Sequence, residues 1–250
     1  MGMTKQIDLN ADLGEGCAFD AELMSVVTSC NIACGGHAGD EASMRMALQL
    51  AKANNVAAGA HPSFPDRENF GRTRSDLSGP ALEQALGAQV ESLKNMADTL
   101  DLPLTHLKPH GALYNMAARD AGLAASILNV LQSVLPSASL VGPPESEMQR
   151  QATARGIDFI AEGFADRTYE EDGQLRDRSK PGAVIHDHSV QARQAVGMAA
   201  ESRVKTHGGT TISLPVKTIC VHGDTPDAFA AAGSIRSSLE QLGIRLCAPY

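Results

Sequence analysis

The sequence predicts an α/β protein built on a parallel β/α barrel of about seven strands (a TIM-like barrel). Short apolar runs alternate with amphipathic helical patterns from one end to the other. The runs carry β-branched residues, and glycine follows several of them, as it does in buried parallel strands. No linker or low-complexity tract interrupts the 250 residues, which favours a single domain over 1–250. An open doubly wound sheet would satisfy the alternation equally well. About seven strands in this length lean toward a closed barrel, one strand short of eight.

The strands are read at 7–10 (IDLN), 31–35 (NIACG), 56–60 (VAAGA), 104–108 (LTHLK), 139–142 (SLVG), 157–161 (IDFIA) and 216–222 (VKTICVH). Asp40 caps a helix with Met44, Ala47, Leu48 and Ala51 on its apolar face. Ser78-Gly-Pro80 opens a long helix striped by Leu82, Leu86, Val90, Leu93, Ala97 and Leu100. Leu123, Ile127, Leu131 and Val134 form the next stripe, stopped by Pro136. A helix from about Glu145 ends at Gly156, and Ser189 to Ala200 reads as helical. Thr225-Pro226 starts a last helix with Phe229, Gly233, Arg236, Leu239 and Leu242 on one face, closed by Gly243. Residues 162–188 are polar and irregular and read as a lid-like insertion over one mouth of the fold.

Composition narrows the function classes. With 21 Lys plus Arg against 29 Asp plus Glu, the formal net charge is -8, which argues against a nucleic-acid binder or docking on an anionic membrane. No run approaches the roughly 20 apolar residues of a membrane span. No basic stretch leading into an apolar one marks a secretory signal, so a cytoplasmic protein is expected. Five cysteines without a CxxC pair read as reduced thiols; Cys30 and Cys34 read as small buried side chains rather than a redox or metal pair.

In parallel α/β folds the active site forms beyond the carboxyl ends of the strands. Six of the seven predicted strands end in polar or titratable residues. The first, with Asp8 just inside, leads to Asn10, Asp12 and Glu15; the second to His37 and Asp40; the third to His61 and Ser63. The fourth leads to Lys108, His110, Tyr114 and Asn115; the sixth to Glu162, Asp166, Arg167 and Tyr169; the seventh to His222 and Asp224. Only Gly142-Pro-Pro, after the fifth, lacks polar side chains. Singly, each histidine has a local explanation as a turn residue, Asp40 and Asp224 as caps, and Asp8 as a buried scaffold carboxylate. The recurrence points to a common polar mouth, because converging titratable groups are costly to desolvate. A P-loop, a third glycine for a dinucleotide fingerprint, GxSxG, HExxH and a cysteine quartet for zinc are all missing.

Taken together, the segments IDLNADLGE (7–15), SCNIACGGHAGD (29–40), GAHPSFPDRENFGR (59–72), LKPHGALYN (107–115), EGFADRTYEEDGQL (162–175), RSKPGAVIHD (178–187) and ICVHGDTPDA (219–228) resemble the LamB/YcsF family. They run in order over almost the whole chain. Departures are Gly36, where the family commonly has an aromatic, and Thr73, where a second arginine often follows Arg72. The resemblance implies a barrel of about seven strands related to metal-dependent sugar deacetylases. It implies ATP-dependent opening of 5-oxo-L-proline to L-glutamate, with Mg-ATP as co-substrate and two further subunits of the B and C type.

Opening an unactivated lactam requires cations for the substrate carboxylate and phosphoryl group: Lys108 and Arg167, with Arg72 and Arg178 in reserve. It requires a base for water, drawn from Asp12, His37 or His61, and a proton donor to the leaving nitrogen, His110 or His222. Asp166 completes the expected catalytic group; Asn10, Tyr114 and Asn115 are expected to bind substrate. By analogy with the deacetylases, Asp12, His37 and His61 could hold a divalent ion; alternatively they act as hydrogen-bonding residues without one. Rival functions are a stand-alone metal-dependent deacetylase or other hydrolase and a non-catalytic ligand-binding subunit.

Overall fold

In β1 (Gln6–Leu13) the odd-numbered residues Leu9, Ala11 and Leu13 are apolar and fully buried, while Asp8, Asn10 and Asp12 occupy the opposite face. That alternation sets up the fold. The apolar face packs outward on helices and the polar face turns into a closed barrel.

The structure is a computed structural model and describes residues 5–222 and 227–250. Six further strands join β1 in the barrel: β2 (Ser29–Ala33), β3 (Ala57–His61), β4 (Leu104–Leu107), β5 (Ser139–Gly142), β6 (Phe159–Phe164) and β9 (Thr218–His222). All pair in parallel and in sequence order, and β1 pairs with both β2 and β9, which closes the cylinder. The register sets Asp12 beside Asn31 on one side and His222 on the other, so the first, second and last barrel strands meet at one level of the mouth.

Around the barrel lie α1 (Asp20–Met24), α2 (Glu41–Asn54), α3 (Gly79–Thr99), α4 (Gly111–Ala117), α5 (Ala121–Val134), α6 (Glu147–Ala154), α7 (His188–Val196) and α8 (Ala228–Gln241). Asp40 caps α2 with the expected bond from the Ser43 amide, completed as a capping box. On α3 the residues Leu82, Leu86, Val90, Leu93 and Ala97 are buried, as their spacing predicts. Each fully buried leucine contributes about 1.5–3 kcal/mol.

The structure departs from the sequence reading at several points. β6 runs to Phe164, so Glu162 belongs to a barrel strand and the irregular segment begins at Ala165. Helix α7 continues into a π-helical turn, Gly197–Glu201, ended by Ser202 with φ 55°. A short antiparallel hairpin, β7 (Arg203–Lys205) and β8 (Thr211–Ser213), follows it, and β10 (Arg245–Leu246) adds to β1 outside the barrel. On α8 the buried face is Ala228, Ala231, Ala232, Ile235 and Leu239; Phe229 and Leu242, expected inside, are 43% and 58% exposed. The small alanines let α8 lie close against α7, and that turns the larger side chains outward. The predicted helix start at Thr225-Pro226, and Asp224, lie outside the described residues.

Candidate active site

Lys108, directly after β4, stands at the centre of the barrel with 2% exposure. Its Nζ donates to Asp12 Oδ1 at 2.8 Å and pairs with Glu162 Oε1 at 2.8 Å. Burial alone would push the ammonium down. The Asp12 and Glu162 carboxylates outweigh it and hold Lys108 well above the usual lysine range. Burial would likewise raise Asp12, but His61 and Lys108 hold it well below the ordinary carboxylate range. Below this pair the polar face of the barrel is linked by hydrogen bonds. Asn31 donates to Asp12 Oδ1 and Asn10 Oδ1, both at 2.8 Å, and its own Oδ1 lies 2.9 Å from His106 Nε2. Asn10 donates to Glu162 Oε1 at 3.0 Å and to Thr218 at 2.6 Å. Asp8 takes bonds from Thr28, Ser29 and Thr218, the scaffold role open to it from sequence.

Three imidazoles gather above Asp12. His61, the last residue of β3, places Nε2 3.3 Å from Asp12 Oδ2 and 2.9 Å from His110 Nδ1. The ring of His110 stacks on that of His37 at 3.6 Å, and His37 Nε2 lies 3.0 Å from Glu15 Oε1. The loop that follows β3 packs tightly here. Gly71 has φ 63°, and a Cβ on it would sit 2.8 Å from His37 Cβ and 3.1 Å from the His110 ring. Burial, reinforced by the neighbouring imidazoles, pushes His110 well below the usual histidine range; burial also lowers His37.

The rim carries a second constellation. His222, at the end of β9, directs Nδ1 to Asp166 Oδ2 at 2.6 Å, and Arg178 Nη2 reaches its Nε2 at 3.2 Å. Burial lowers His222, but Asp166 outweighs it and raises the imidazole overall. Arg167 is 4% exposed and is bonded to the carbonyls of Ala183 and Arg176, which ties the irregular segment together. Burial and the nearby Arg178 bring Arg167 down to about 10. Above the site lies an open cavity of 1110 Å³, floored by Asp12, His61 and Lys108 and walled on one side by Arg72, Arg167 and Arg178. Tyr114 Oη and Glu162 Oε2 are buried with no hydrogen-bond partner among the described residues.

The structure thus brings Asp12, His61, Lys108, His110 and His222 to one cavity, with Arg72, Tyr114, Asn115, Arg167 and Arg178 lining it, while Asp166 stands behind His222 and bonds its Nδ1. His37 stands behind His110 rather than on the cavity, and Asn10 lies beneath the floor with its amide engaged on both sides. Asn115 bonds back to the Gly111 carbonyl on its own helix. Among the described residues two donor sets converge within 4.8 Å: Glu15, His37, His61 and His110 form one, and Asp12 falls in the other with Cys220 and His222. The sequence places Glu15 and Glu162 at strand ends without giving them a specific role, and it does not single out Asn31 or His106. The signal for the last three is the period-two alternation inside the strands.

The LamB/YcsF family model matches residues 7–250. Histophilus somni (strain 129Pt) has a protein named as the A subunit of 5-oxoprolinase that is 44% identical over 240 residues, covering 96% of this chain and 97% of the relative. A protein of the same name from Methylococcus capsulatus is 43% identical over 251 residues, covering 98% and 96%. The crystal structure of a lactam utilization protein from Thermus thermophilus superposes with a TM-score of 0.90 at 37% identity, covering 97% of this chain and 99% of that one. The polysaccharide deacetylase Bc1974 from Bacillus cereus, at 14% identity and a TM-score of 0.53, covering 98% of this chain and 92% of that one, shares the fold. Among the described residues no helix is long and apolar enough to cross a membrane.

Proposed function

This chain belongs to the LamB/YcsF family, and we propose that it is a subunit of an ATP-dependent 5-oxoprolinase that opens 5-oxo-L-proline to L-glutamate as ATP is hydrolysed to ADP and phosphate. The observation that carries the reading is the 43–44% identity, over nearly the whole chain, to proteins named as the A subunit of 5-oxoprolinase. That name also supports assembly with further subunits, which we take to be two, of the B and C type.

The cavity suits the chemistry. A lactam carbonyl is a poor electrophile; phosphorylation of its oxygen makes the ring carbon open to water. The substrate carboxylate and the phosphoryl group both need cations, and Arg72, Arg167 and Arg178 stand together on one wall. Lys108 is not available for that purpose, because two carboxylates already neutralise it. Its role is to keep Asp12 ionised, and Asp12 beside His61 is the base for the attacking water. When the C–N bond of the adduct breaks, the nitrogen takes a proton from His222 and the carbon is left as the acyl phosphate, which a second water hydrolyses to glutamate and phosphate. That imidazole now accepts from Arg178 at Nε2. Once Arg178 swings to the substrate anion, Nε2 is free to carry a proton, with Asp166 holding Nδ1.

The test is reconstitution. The purified chain alone is expected to leave 5-oxoproline intact, and glutamate is expected only when ATP and both partner subunits are added. Intact substrate in the complete mixture overturns the proposal. Turnover of an amide or acetylated sugar by the chain alone, without ATP, would instead establish a stand-alone hydrolase.

A further inference from the structure

The hydrogen bonds around His61 and His110 leave two nitrogens in conflict. His61 Nδ1 lies 2.8 Å from the Lys108 carbonyl oxygen, which can only accept, so Nδ1 carries the proton. His110 Nε2 lies 3.0 Å from the Phe70 carbonyl oxygen, so there it is Nε2 that carries it. A neutral imidazole has one N–H. In their neutral forms the two remaining nitrogens, His61 Nε2 and His110 Nδ1, are both bare; they face each other at 2.9 Å, with Asp12 Oδ2 3.3 Å from His61 Nε2, so a positive group, either a second proton on His61 or a metal ion, belongs there. Two lone pairs at hydrogen-bond distance repel unless something positive lies between or beside them. A carboxylate oxygen, Glu15 Oε1, completes the group at 3.6 Å from His110 Nδ1 and 3.9 Å from His61 Nε2.

We propose that this pocket binds a divalent transition-metal ion through His61 Nε2, His110 Nδ1 and Glu15 Oε1. Metal–nitrogen and metal–oxygen bonds of about 2.0–2.1 Å set tetrahedral donors about 3.3 Å apart, and the separations here bracket that value. A set of two imidazoles and one carboxylate suits a borderline ion such as zinc or cobalt. Both rings are already oriented by their other N–H on a backbone carbonyl, the arrangement that fixes metal-binding histidines. His37 Nε2 orients the carboxylate at 3.0 Å, and its ring braces His110 from behind. Glu15, His61 and His110 all line the open cavity, which leaves the fourth position to water or substrate. The inference rests on donor geometry and is independent of which amide the site opens.

The experiment is a titration of chelator-treated full-length chain with cobalt(II), read by visible d–d absorption. Wild type is expected to saturate at one equivalent. Even the outer partners of metal ligands are each worth about 10–100-fold in affinity, so losing a ligand in Glu15→Gln or His110→Gln should weaken binding at least tenfold. A His186→Ala/His188→Ala variant, which removes two histidines outside the cavity, should bind as wild type. A second readout needs no variant. In wild type, imidazole nitrogen NMR should show metal-induced shifts at His61 Nε2 and His110 Nδ1. The absence of saturable absorption, binding that survives Glu15→Gln and His110→Gln, binding lost with the two outlying histidines, or unmoved resonances at those two nitrogens would each overturn the proposal.

Discussion

Replacing Lys108 with methionine keeps most of the side-chain volume and removes only the charge. In the wild type that charge lies 2.8 Å from Asp12 and 2.8 Å from Glu162, all three groups being nearly inaccessible to water. Stranding buried carboxylates by removing their partner costs about 3–5 kcal/mol. For a domain of this size each kcal/mol is worth about 2–4 °C, so Lys108→Met should melt about 6–20 °C below wild type at pH 8. The pH dependence is the sharper test. In wild type Asp12 is held low, and its contribution is present above the unfolded value of about 3.9 and is lost as pH falls below it. In the variant, burial is no longer opposed by Lys108, and Asp12 rises. A raised carboxyl contributes stability that is full below the unfolded value and lost as pH rises through the folded one. Between pH 8 and pH 4 the second effect acts alone and narrows the gap as pH falls, so calorimetry at pH 8, 6 and 4 should show the two proteins converging, with the wild-type loss following only below pH 4. A gap of under about 2 °C at pH 8, or one that does not change with pH, would mean that Lys108 does not neutralise this floor.

Two more perturbations address other parts of the site. Burial lowers His222 but Asp166 raises it further, so His222 should titrate above about 6.5 by NMR, and Asp166→Asn should bring it below that value; an unchanged titration would remove Asp166 as the controlling group. A Cβ on Gly36 would collide with Gln89 Oε1, and Gln89 is itself bonded to both the amide and the carbonyl of Ser63. Gly36→Ala should therefore cost about 1–3 kcal/mol by overpacking, and Gln89→Ala added to it should recover part of the loss in a thermal double-mutant cycle; strict additivity would show that the two positions do not compete for space.

All seven barrel strands are legible in the sequence, because parallel strands bury both faces and bring glycine and polar residues to their ends. The pieces that escape are those held by tertiary contact. Helix α1 has five residues, β10 has two, and the β7–β8 hairpin is three residues a side, too short for periodicity to register. Helix α4 is hidden because Gly111 to Asn115 read as the loop after a strand. The exposed Phe229 shows the limit of hydrophobicity as a guide to helix facing, since alanines decide the close side of α8. At the site, strand ends yield most of the cavity residues. Glu162 falls into the insertion on sequence grounds because the apolar run ends at Ala161, whereas the strand continues to Phe164. Gly36 also has a reason now: Gln89 fills the space its side chain would occupy, which accounts locally for the missing aromatic.

The deeper difference concerns which face of the strands is apolar. Runs such as IDLN read as apolar, yet only every second residue is so, and the polar half points into the barrel. A barrel of this kind takes its hydrophobic stabilisation from the outer layer, where Leu9, Ala11, Leu13 and their counterparts meet the helices. Its interior must then satisfy every polar atom by contact with another. The chain from Asp8 through Thr218 to Asn10, and from Asn10 to Glu162 and Asn31, does so up to Glu162, whose Oε2 is left without a partner. At its lower end the last residue, Tyr250, stacks on His106 at 4.5 Å, closing the column from below. With water kept from beneath, charges at the mouth interact in a poorly screened medium, and this allows Lys108 to hold Asp12 so far below its ordinary value. The interior that would be inert packing in an apolar barrel here fixes the protonation and position of the groups facing the cavity.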